Sequence, residues 1–173
     1  FVVHIVMGYW MEYTPSGDNF MLYNGSQMLA RDGNFDAYPD FGLYLSRFSN
    51  QWGFLLMLTA LFRLLGALGV THFFFPLVVL QAALYVLGMR SALRIARKLE
   101  GARGEIMAML LMTVCLPLVL AASVLYTDTF SLPFILMALD LALCARDAES
   151  AKGQIGYACL CGVITLLGCQ IKM

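Results

Sequence analysis

Two isolated carboxylates interrupt stretches of the chain that are otherwise mostly apolar. Asp18 lies in "SGDNF", soon after an apolar opening segment, and Asp128 lies in "SVLYTDTFSLPF" between two threonines. A carboxylate at a membrane surface can act as a general base on a hydroxyl group, and two carboxylates on one side could serve one substrate. Helix capping is the structural alternative for both residues, and for Asp128 alone it fits at least as well.

A second set of polar residues stands where a polar segment runs into an apolar one, at Tyr44, Arg47, Asn50 and Gln51. An arginine guanidinium binds two phosphate oxygens at once, so this set could hold a lipid phosphate or simply anchor the chain among the headgroups. Lys172, in "GCQIKM", could pair with a phosphate or a carboxylate, or extend alone to the membrane surface.

We expect structural roles for the remaining polar residues and for the cysteines. We expect Asp140 to face the helix bundle or to reach the interface near Arg146, and we expect His4 to pack within the first helix. The cysteines all lie in or beside apolar segments, which predicts packing and neither disulfides nor a zinc site. They are Cys115, Cys144, Cys159, Cys161 and Cys169.

The composition identifies the elements that must position these residues. Hydrophobic residues make up 61% of the chain and charged residues only 13%, about half the charged share of a soluble domain. The apolar segments 71–89, 105–126, 130–145 and 155–171 approach the ~17–25 residues that cross a hydrocarbon core. The sequence therefore predicts an all-α, polytopic transmembrane helical bundle, and its zero net charge argues against a nucleic-acid partner.

The first segment, residues 1–11, has about half the length of a membrane helix and lacks the basic start of a signal peptide. The chain also ends just as another apolar helix surfaces. We therefore expect an internal fragment of a longer polytopic protein, organised as a single transmembrane domain over residues 1–173.

The distribution of charge predicts the side on which each loop lies. Arg90–Gly104 holds five basic residues and one acidic residue, which makes it cytoplasmic by the positive-inside rule. Ala145–Gln154 lies two crossings further on and is cytoplasmic too, so Asp128 emerges outside. Glu12–Asn50 holds two basic and five acidic residues, which predicts that residues 12–70 form a large external loop.

This topology leaves both ends of Gln51–Gly69 outside, so that segment cannot cross the bilayer. Its central Arg63 would cost at least ~2.5–3.5 kcal/mol inside it, and a helix lying in the outer interface fits better. A plain crossing is the alternative, and it would put Asp18 and Asp128 on opposite sides. Upstream, cap-type residues followed by "RDGNF", where Gly33 can end a helix, predict a short amphipathic surface helix.

In their order and topology these features resemble the GT-C superfamily of membrane glycosyltransferases, in particular the family-39-like branch related to protein O-mannosyltransferases and the lipid A aminoarabinose transferase. Asp18 in "SGDNF" matches the early aspartate of the family's large external loop, and Asp128 in "LYTDTFSLPF" matches the acidic residue of its second external turn. "YLSRFSNQWGFLLMLTALFRLLG" resembles the stretch that opens onto a juxtamembrane helix. "GCQIKM" is similar to the segment that returns a lysine to the outer face. The resemblance covers essentially the whole chain, and a complete enzyme would continue through several more helices.

The resemblance implies an integral protein of the bacterial plasma membrane, with its active site outside, that transfers a sugar from a polyprenyl-phosphate donor. The acceptor would be a glycan, a lipid or a protein. Asp18 would be the general base and Asp128 would orient the acceptor or the base, while Arg47 and Lys172 would stabilise the departing lipid phosphate. Tyr44, Asn50 and Gln51 complete the expected substrate-binding set, and inversion at the anomeric carbon is expected by analogy.

The chain departs from the family pattern at one position. Phe20 stands two residues after Asp18, where a metal-binding DxD pattern would have a second aspartate. We therefore expect no cofactor, although this departure argues against a divalent metal without excluding one. A multi-pass transporter or flippase, and a non-catalytic membrane scaffold, are the competing functions.

Overall fold

The computed structural model describes residues 1–10, 17–36, 38–115 and 127–172, with side chains described for all of these except 7–10 and 172. Within these ranges the chain is helical and contains no strand. The helices are α1 (Val2–Trp10), α2 (Asp18–Arg31), α3 (Asp40–Arg47), a 3-10 turn (Ser49–Gln51), α4 (Trp52–Ala67), α5 (Phe74–Val114), α6 (Thr127–Asp147) and α7 (Ala151–Lys172).

Three of these helices are long and apolar enough to cross a membrane. They are α5, α6 and most of α7, over Phe74–Val114, Thr127–Asp147 and Ala151–Ile171. A lipid-exposed helix satisfies its backbone hydrogen bonds internally, which is why such sequences form helices in a bilayer. The chain is therefore an all-helical membrane protein, as its composition predicts.

The basic segment Arg90–Gly104 is helical on both sides of Gly101, so the predicted loop is reduced in the structure to a turn at that residue. Met89 and Leu93, before the turn, line one cavity together with Met109 and Met112, after it, so the second part of α5 folds back along the first. Arginine, leucine, alanine and lysine all favour helix, so nothing in "RSALRIARKLE" ends the helix where its apolar part ends. The exception is Gly101, whose φ of 67° and ψ of −156° interrupt the helical geometry of α5. A positive φ is open to glycine at little steric cost, and the two parts of α5 meet at this turn.

Two further boundaries bear on the predicted crossings. The crossing predicted over 105–126 begins within α5, and residues 116–126 lie outside the described residues. The loop predicted at Ala145–Gln154 is shorter in the structure, because α6 runs to Asp147 and α7 begins at Ala151. Only residues 148–150 connect the two helices, so α6 and α7 form a tight antiparallel hairpin.

The long helices approach one another closely at small residues. A Cβ on Gly88 of α5 would lie 2.8 Å from Cα of Pro133 in α6, a separation too short for real side chains. In the hairpin, Gly168 of α7 lies against Phe134, and the thiol of Cys161 donates a hydrogen bond to the carbonyl of Ala138 at 3.3 Å. Small residues let membrane helices pack with their backbones near each other, which aligns α5, α6 and α7 side by side.

The shorter helices α2, α3 and α4, with the 3-10 turn, form a layer that we call the end layer. Within it, the hydroxyl of buried Ser26 donates to the carbonyl of Leu55 at 3.1 Å. The guanidinium of Arg63 donates to the carbonyl of Leu29 at 3.1 Å, close to the C-terminus of α2. A cation there satisfies an unpaired carbonyl and complements the helix dipole, so α4 is fixed on α2 along both of its halves.

The end layer packs on one end of the bundle. The ring of Phe54, near the start of α4, lies 5.1 Å from that of Phe130 at the start of α6. Phe62, in the second half of α4, stacks at 4.7 Å on Phe73, directly before α5. A Cβ on Gly53 would collide with the carbonyl oxygen of Gln170 at the end of α7. Both halves of α4 therefore contact the same end of the bundle, so the helix lies across that end. Its position in the outer membrane interface stays a prediction.

Candidate functional site

Asp128 lies in the first turn of α6, and its side chain is exposed. Its neighbours hold this turn in place. The amide of fully buried Gln81, on α5, donates from Nε2 to the hydroxyl of Thr129 at 2.9 Å. The hydroxyl of Ser131 donates to the Asp128 carbonyl at 3.2 Å. A buried hydrogen bond between two helices is costly to break, so α5 fixes the position from which Asp128 projects.

Below Asp128, α6 and α7 enclose an apolar groove of about 450 Å³. Asp128, Ser131, Ile135 and Leu139 line it from α6, and they share a face because they recur at three- and four-residue spacing. Ile164 and neighbouring residues line it from α7. The α6 wall from residue 128 to 139 extends about 16 Å at 1.5 Å per residue. The α6–α7 groove is therefore an apolar channel with a carboxylate at one end.

The hairpin brings the end of α7 level with the start of α6. Cys161 pairs with Ala138, and Gly168 lies against Phe134, so residues further along α7 approach the first turn of α6. The last residue of α7 is Lys172, whose side chain lies outside the described part. Its backbone thus returns to the end of the bundle that carries Asp128.

The predicted residues of the second set lie in the end layer. The 3-10 turn that contains Asn50 and Gln51 packs on α7. Gln51 is 6% exposed, and its Oε1 accepts no hydrogen bond among the described residues. Tyr44 is buried in the core of the end layer, while Arg47 and Asn50 are exposed. The structure thus brings Gln51 and Asn50 to the end of the bundle where Asp128 lies. A buried amide oxygen without a donor is available to a ligand.

Asp18 is the first residue of α2 and is partly exposed. The cap position of α2 is Gly17, so the expectation that Asp18 caps this helix is wrong; its carboxylate in the first turn instead complements the helix dipole. The neighbouring Asn19 is 8% exposed, and its Oδ1 accepts no hydrogen bond from the residues that the structure describes. The helix ends at Arg31, and Gly33 follows with φ 77°, in agreement with the predicted helix stop. The catalytic roles of Asp18 and Asp128 stay predictions.

A polar group that the sequence analysis did not assemble lies at the opposite end of the α5–α6 pair. Arg94 Nη1 lies 3.3 Å from a carboxylate oxygen of Asp140, whose side chain is only 3% exposed. Lys98 Nζ lies 3.2 Å from Asp147. The sulfur of buried Cys144 accepts hydrogen bonds from Arg94 at 3.2 Å and from Lys98 at 3.3 Å. We call these five residues the ion-pair cluster.

The ion-pair cluster corrects one expectation and supports another. Asp140 does face the bundle, but its partner is Arg94, since Arg146 pairs with its neighbour Asp147 at 2.9 Å. Cys144 is not a purely apolar packing residue. The sequence does contain a signal for this arrangement, because residues 94 and 98 share one helical face, as do residues 140, 144 and 147. These shared faces predict ion pairs only once α5 and α6 are known to be neighbours.

In the described part of the chain, no group of three or more His, Cys, Asp and Glu residues is arranged to hold a metal ion. His4 is buried, with its ring 5.9 Å from that of Tyr85. The sequence matches no protein-family model, and no curated protein or solved structure matches it. Function is therefore inferred from the geometry of the site.

Proposed function

We propose that this chain belongs to a membrane glycosyltransferase of the GT-C type, acting at the outer face of a bacterial plasma membrane. It would transfer a hexosyl or pentosyl group from a polyprenyl-phosphate donor to a glycan, lipid or protein acceptor. The observation that supports this proposal most directly is the α6–α7 groove, an apolar channel that ends at the carboxylate of Asp128.

A lipid-linked sugar needs an apolar environment for its hydrocarbon chain and a polar one for its sugar and phosphate. Its hydrocarbon chain requires an apolar groove open to the membrane, and the α6–α7 groove is lined mostly by apolar side chains. Its sugar and phosphate require polar groups at the interface. Asp128, the exposed Asn50 and the buried amide of Gln51 all lie at that end of the bundle, together with the last residue of α7. Ligand sites of ~300–1,000 Å³ commonly combine an apolar wall with a few polar groups in this way.

The chemistry is a single displacement at the anomeric carbon. Asp18 would accept the proton of the acceptor hydroxyl as its oxygen bonds to the anomeric carbon, and the bond from that carbon to the phosphate oxygen would break. The lipid phosphate leaves with the bonding electrons. Asp128 would orient the acceptor or the base, while Arg47 and Lys172 would stabilise the negative charge of the phosphate. Tyr44 would serve substrate binding from its buried position.

A transfer assay on the complete protein in nanodiscs tests these roles, with a radiolabelled polyprenyl-phosphate sugar as the donor. Asp18→Asn keeps the size of the side chain but removes the base, so we expect transfer to fall ~10²–10⁴-fold while donor-lipid binding persists. Asp36→Asn is the matched control, because Asp36 is an exposed aspartate of the same external segment. Full activity in the Asp18 variant would reject the assignment of the base.

The groove is tested separately with a photoreactive polyprenyl-phosphate probe. Ala138→Phe, on the groove wall, should block crosslinking to α6, whereas Ala142→Phe on the same helix lies outside the lining residues and should leave it intact. Equal crosslinking in both variants would mean that the lipid binds elsewhere. That result would remove the main support for a lipid-linked donor.

The sidedness that the proposal requires has its own test. In a background without native cysteines, Asn34→Cys and Ser150→Cys both introduce exposed thiols. A membrane-impermeant maleimide should label position 34 from outside and position 150 from inside. Labelling of both positions from one side would mean that α4 crosses the bilayer, and the shared face of Asp18 and Asp128 would be lost.

Transport is the principal alternative, and it would use Asp140 as a residue lining a path. The Asp140 carboxylate is instead buried and ion-paired with Arg94. No contact in the described residues favours transport or a purely scaffolding role over transfer.

A further inference from the structure

A second cavity, of about 370 Å³, lies in the end layer between α2 and α3. It shares no lining residue with the α6–α7 groove. Phe20, Asn24, Gln27 and Arg31 line it from α2, and Tyr38 and Phe41 line it from the α3 side. We call it the aromatic cavity. Its residues on α2 lie on one helical face, because they recur at intervals of three and four.

The face of α2 that lines the aromatic cavity is not the face that packs on α4. Leu22 and Ser26 are buried, and Ser26 bonds to the α4 backbone. Phe20, in contrast, is 46% exposed, and Tyr38 is 61% exposed. Exposed aromatic rings leave a large apolar area in water, and covering that area is favourable. A ligand that covers these rings therefore gains hydrophobic contact without displacing any core packing.

The aromatic rings of the cavity are held by a third ring between them. Phe41 is 3% exposed, stacks on Phe20 with ring centres 6.4 Å apart and planes 18° apart, and meets Tyr38 edge-on at 6.0 Å. The exposed rings therefore differ strongly in orientation. They form two walls of a pocket, which suits a ring-shaped ligand better than an extended chain.

The polar residues of the cavity provide hydrogen-bonding groups but no net charge. Among the described residues Asn24 forms one side-chain hydrogen bond, from Nδ2 to the Phe20 carbonyl at 3.1 Å, which leaves its Oδ1 as an acceptor. Gln27 adds a second amide, which also forms a side-chain hydrogen bond with Tyr23. Arg31 is the only cation among the lining residues; its guanidinium lies 5.8 Å from the centre of the Phe73 ring, and the next residue is Asp32. An anionic ligand would meet Asp32 as well as Arg31, so a neutral ligand fits best.

We propose that the aromatic cavity binds an uncharged carbohydrate. One face of a sugar ring carries C–H groups, which pack on the exposed faces of Phe20 and Tyr38. Its hydroxyl groups are both donors and acceptors, which match the amides of Asn24 and Gln27. The phosphate of a nucleotide or phospholipid headgroup would meet the carboxylate of Asp32 beside Arg31, and a hydrocarbon chain would leave the amides unpaired. The proposal does not depend on the transferase function, because it rests on a different set of residues.

Saturation-transfer-difference NMR on the complete protein in nanodiscs tests the cavity directly. The probes are methyl α-mannoside, methyl α-glucoside and N-acetylglucosamine at millimolar concentration. We expect transfer to the ring protons of at least one sugar, and a loss of affinity of about fivefold in both Phe20→Ala and Tyr38→Ala. Tyr38 is 61% exposed and Phe20 is 46% exposed, and neither belongs to the hydrophobic core, so their truncation should leave the fold intact.

Phe48→Ala is the matched control, because Phe48 is also 46% exposed in the end layer but lies outside the cavity lining. This variant should bind sugar as the unmodified protein does. Absence of transfer to all three sugars would overturn the proposal, and so would equal binding in the Phe20, Tyr38 and Phe48 variants. A protein that binds sugar in this way but transfers none would leave the cavity established and the transferase proposal rejected.

Discussion

Removing Arg94 should destabilise this protein far more than removing its partner Asp140. The Asp140 side chain is 3% exposed, whereas Arg94 is 49% exposed, and the two lie 3.3 Å apart. In Arg94→Met the buried carboxylate loses its counter-charge, which typically costs about 3–5 kcal/mol. Lys98 leaves a second positive charge close to Asp140, because Cys144 contacts both Lys98 and Arg94, so we expect the lower part of that range.

Asp140→Leu has a different consequence, because the guanidinium left behind is not buried. A half-exposed arginine can turn its charged end to water while its stem stays on the apolar surface. We therefore expect a loss of about 0–1 kcal/mol. The double variant, Arg94→Met with Asp140→Leu, removes both charges and should be more stable than Arg94→Met alone, since apolar replacement of a whole buried pair is often neutral.

Thermal unfolding of the three variants in one detergent measures this order. A loss of about 3 kcal/mol corresponds to a fall in Tm of roughly 6–12 °C for a chain of this size. Arg97→Met is the control, because its ion pair with Glu105 is exposed at the arginine. If Arg94→Met and Asp140→Leu are equally destabilising, or if their effects simply add in the double variant, the inference of an asymmetric, coupled pair fails.

The remaining expectations concern packing and titration. Gly88→Ala forces a Cβ to 2.8 Å from the Pro133 backbone, so it should cost about 1–3 kcal/mol and weaken α5–α6 association, measured by thermal unfolding. Gly162→Ala is its control, because a Cβ there meets nothing within 4 Å; a fall in Tm equal to that of Gly88→Ala would contradict the packing argument. Burial raises the pKa of Tyr23 above its ordinary value of 10.0, against smaller opposing effects of a Gln27 hydrogen bond and the charge of Arg31. The unfolded chain therefore ionises first, and this contribution to stability is present below pH 10 and lost as pH rises through the folded pKa. Unfolding followed from about pH 8 to 11 should show this loss in the native protein and a smaller one in Tyr23→Phe; identical profiles would refute it.

The two polar groups of the bundle differ in what they can do. The ion-pair cluster satisfies its own charges, with Arg94 against Asp140 and Lys98 against Asp147. Asp128 projects at the opposite end of α6, beside a groove that no other part of the described chain fills. The ion pairs assign a structural role to the first group, and the apolar groove beside Asp128 makes the first turn of α6 the candidate site.

Much of the architecture could be predicted from the sequence, because it follows from local physical chemistry. Apolar segments of membrane-spanning length can satisfy their backbone only as helices, so the all-helical membrane class follows from composition. Gly33 ends α2 because glycine takes a positive φ at little cost. Asp128 marked the start of a helix, because a carboxylate in the first turn complements the helix dipole.

The loop predicted at Arg90–Gly104 is longer than the turn that the structure has at Gly101. A run of basic residues indicates the side of the membrane on which a segment lies, but it does not end a helix, and these residue types favour helix in water as well. The charge pattern and the backbone conformation are independent properties. Only the left-handed Gly101 interrupts α5.

The ion pairs and cavities were decided only by the tertiary structure, because they depend on contacts between distant segments. Arg94 meets Asp140 because Gly88 and Pro133 let α5 and α6 approach, and the α6–α7 groove forms because a short connection makes those helices antiparallel neighbours. The exposed face of α2 becomes a cavity only where α3 folds beside it. The sequence by itself determined which segments are helices and which polar residues interrupt them, because those properties are local. Which of these residues share a site depended on helix packing, because packing is set by the combined surfaces of segments far apart in the chain.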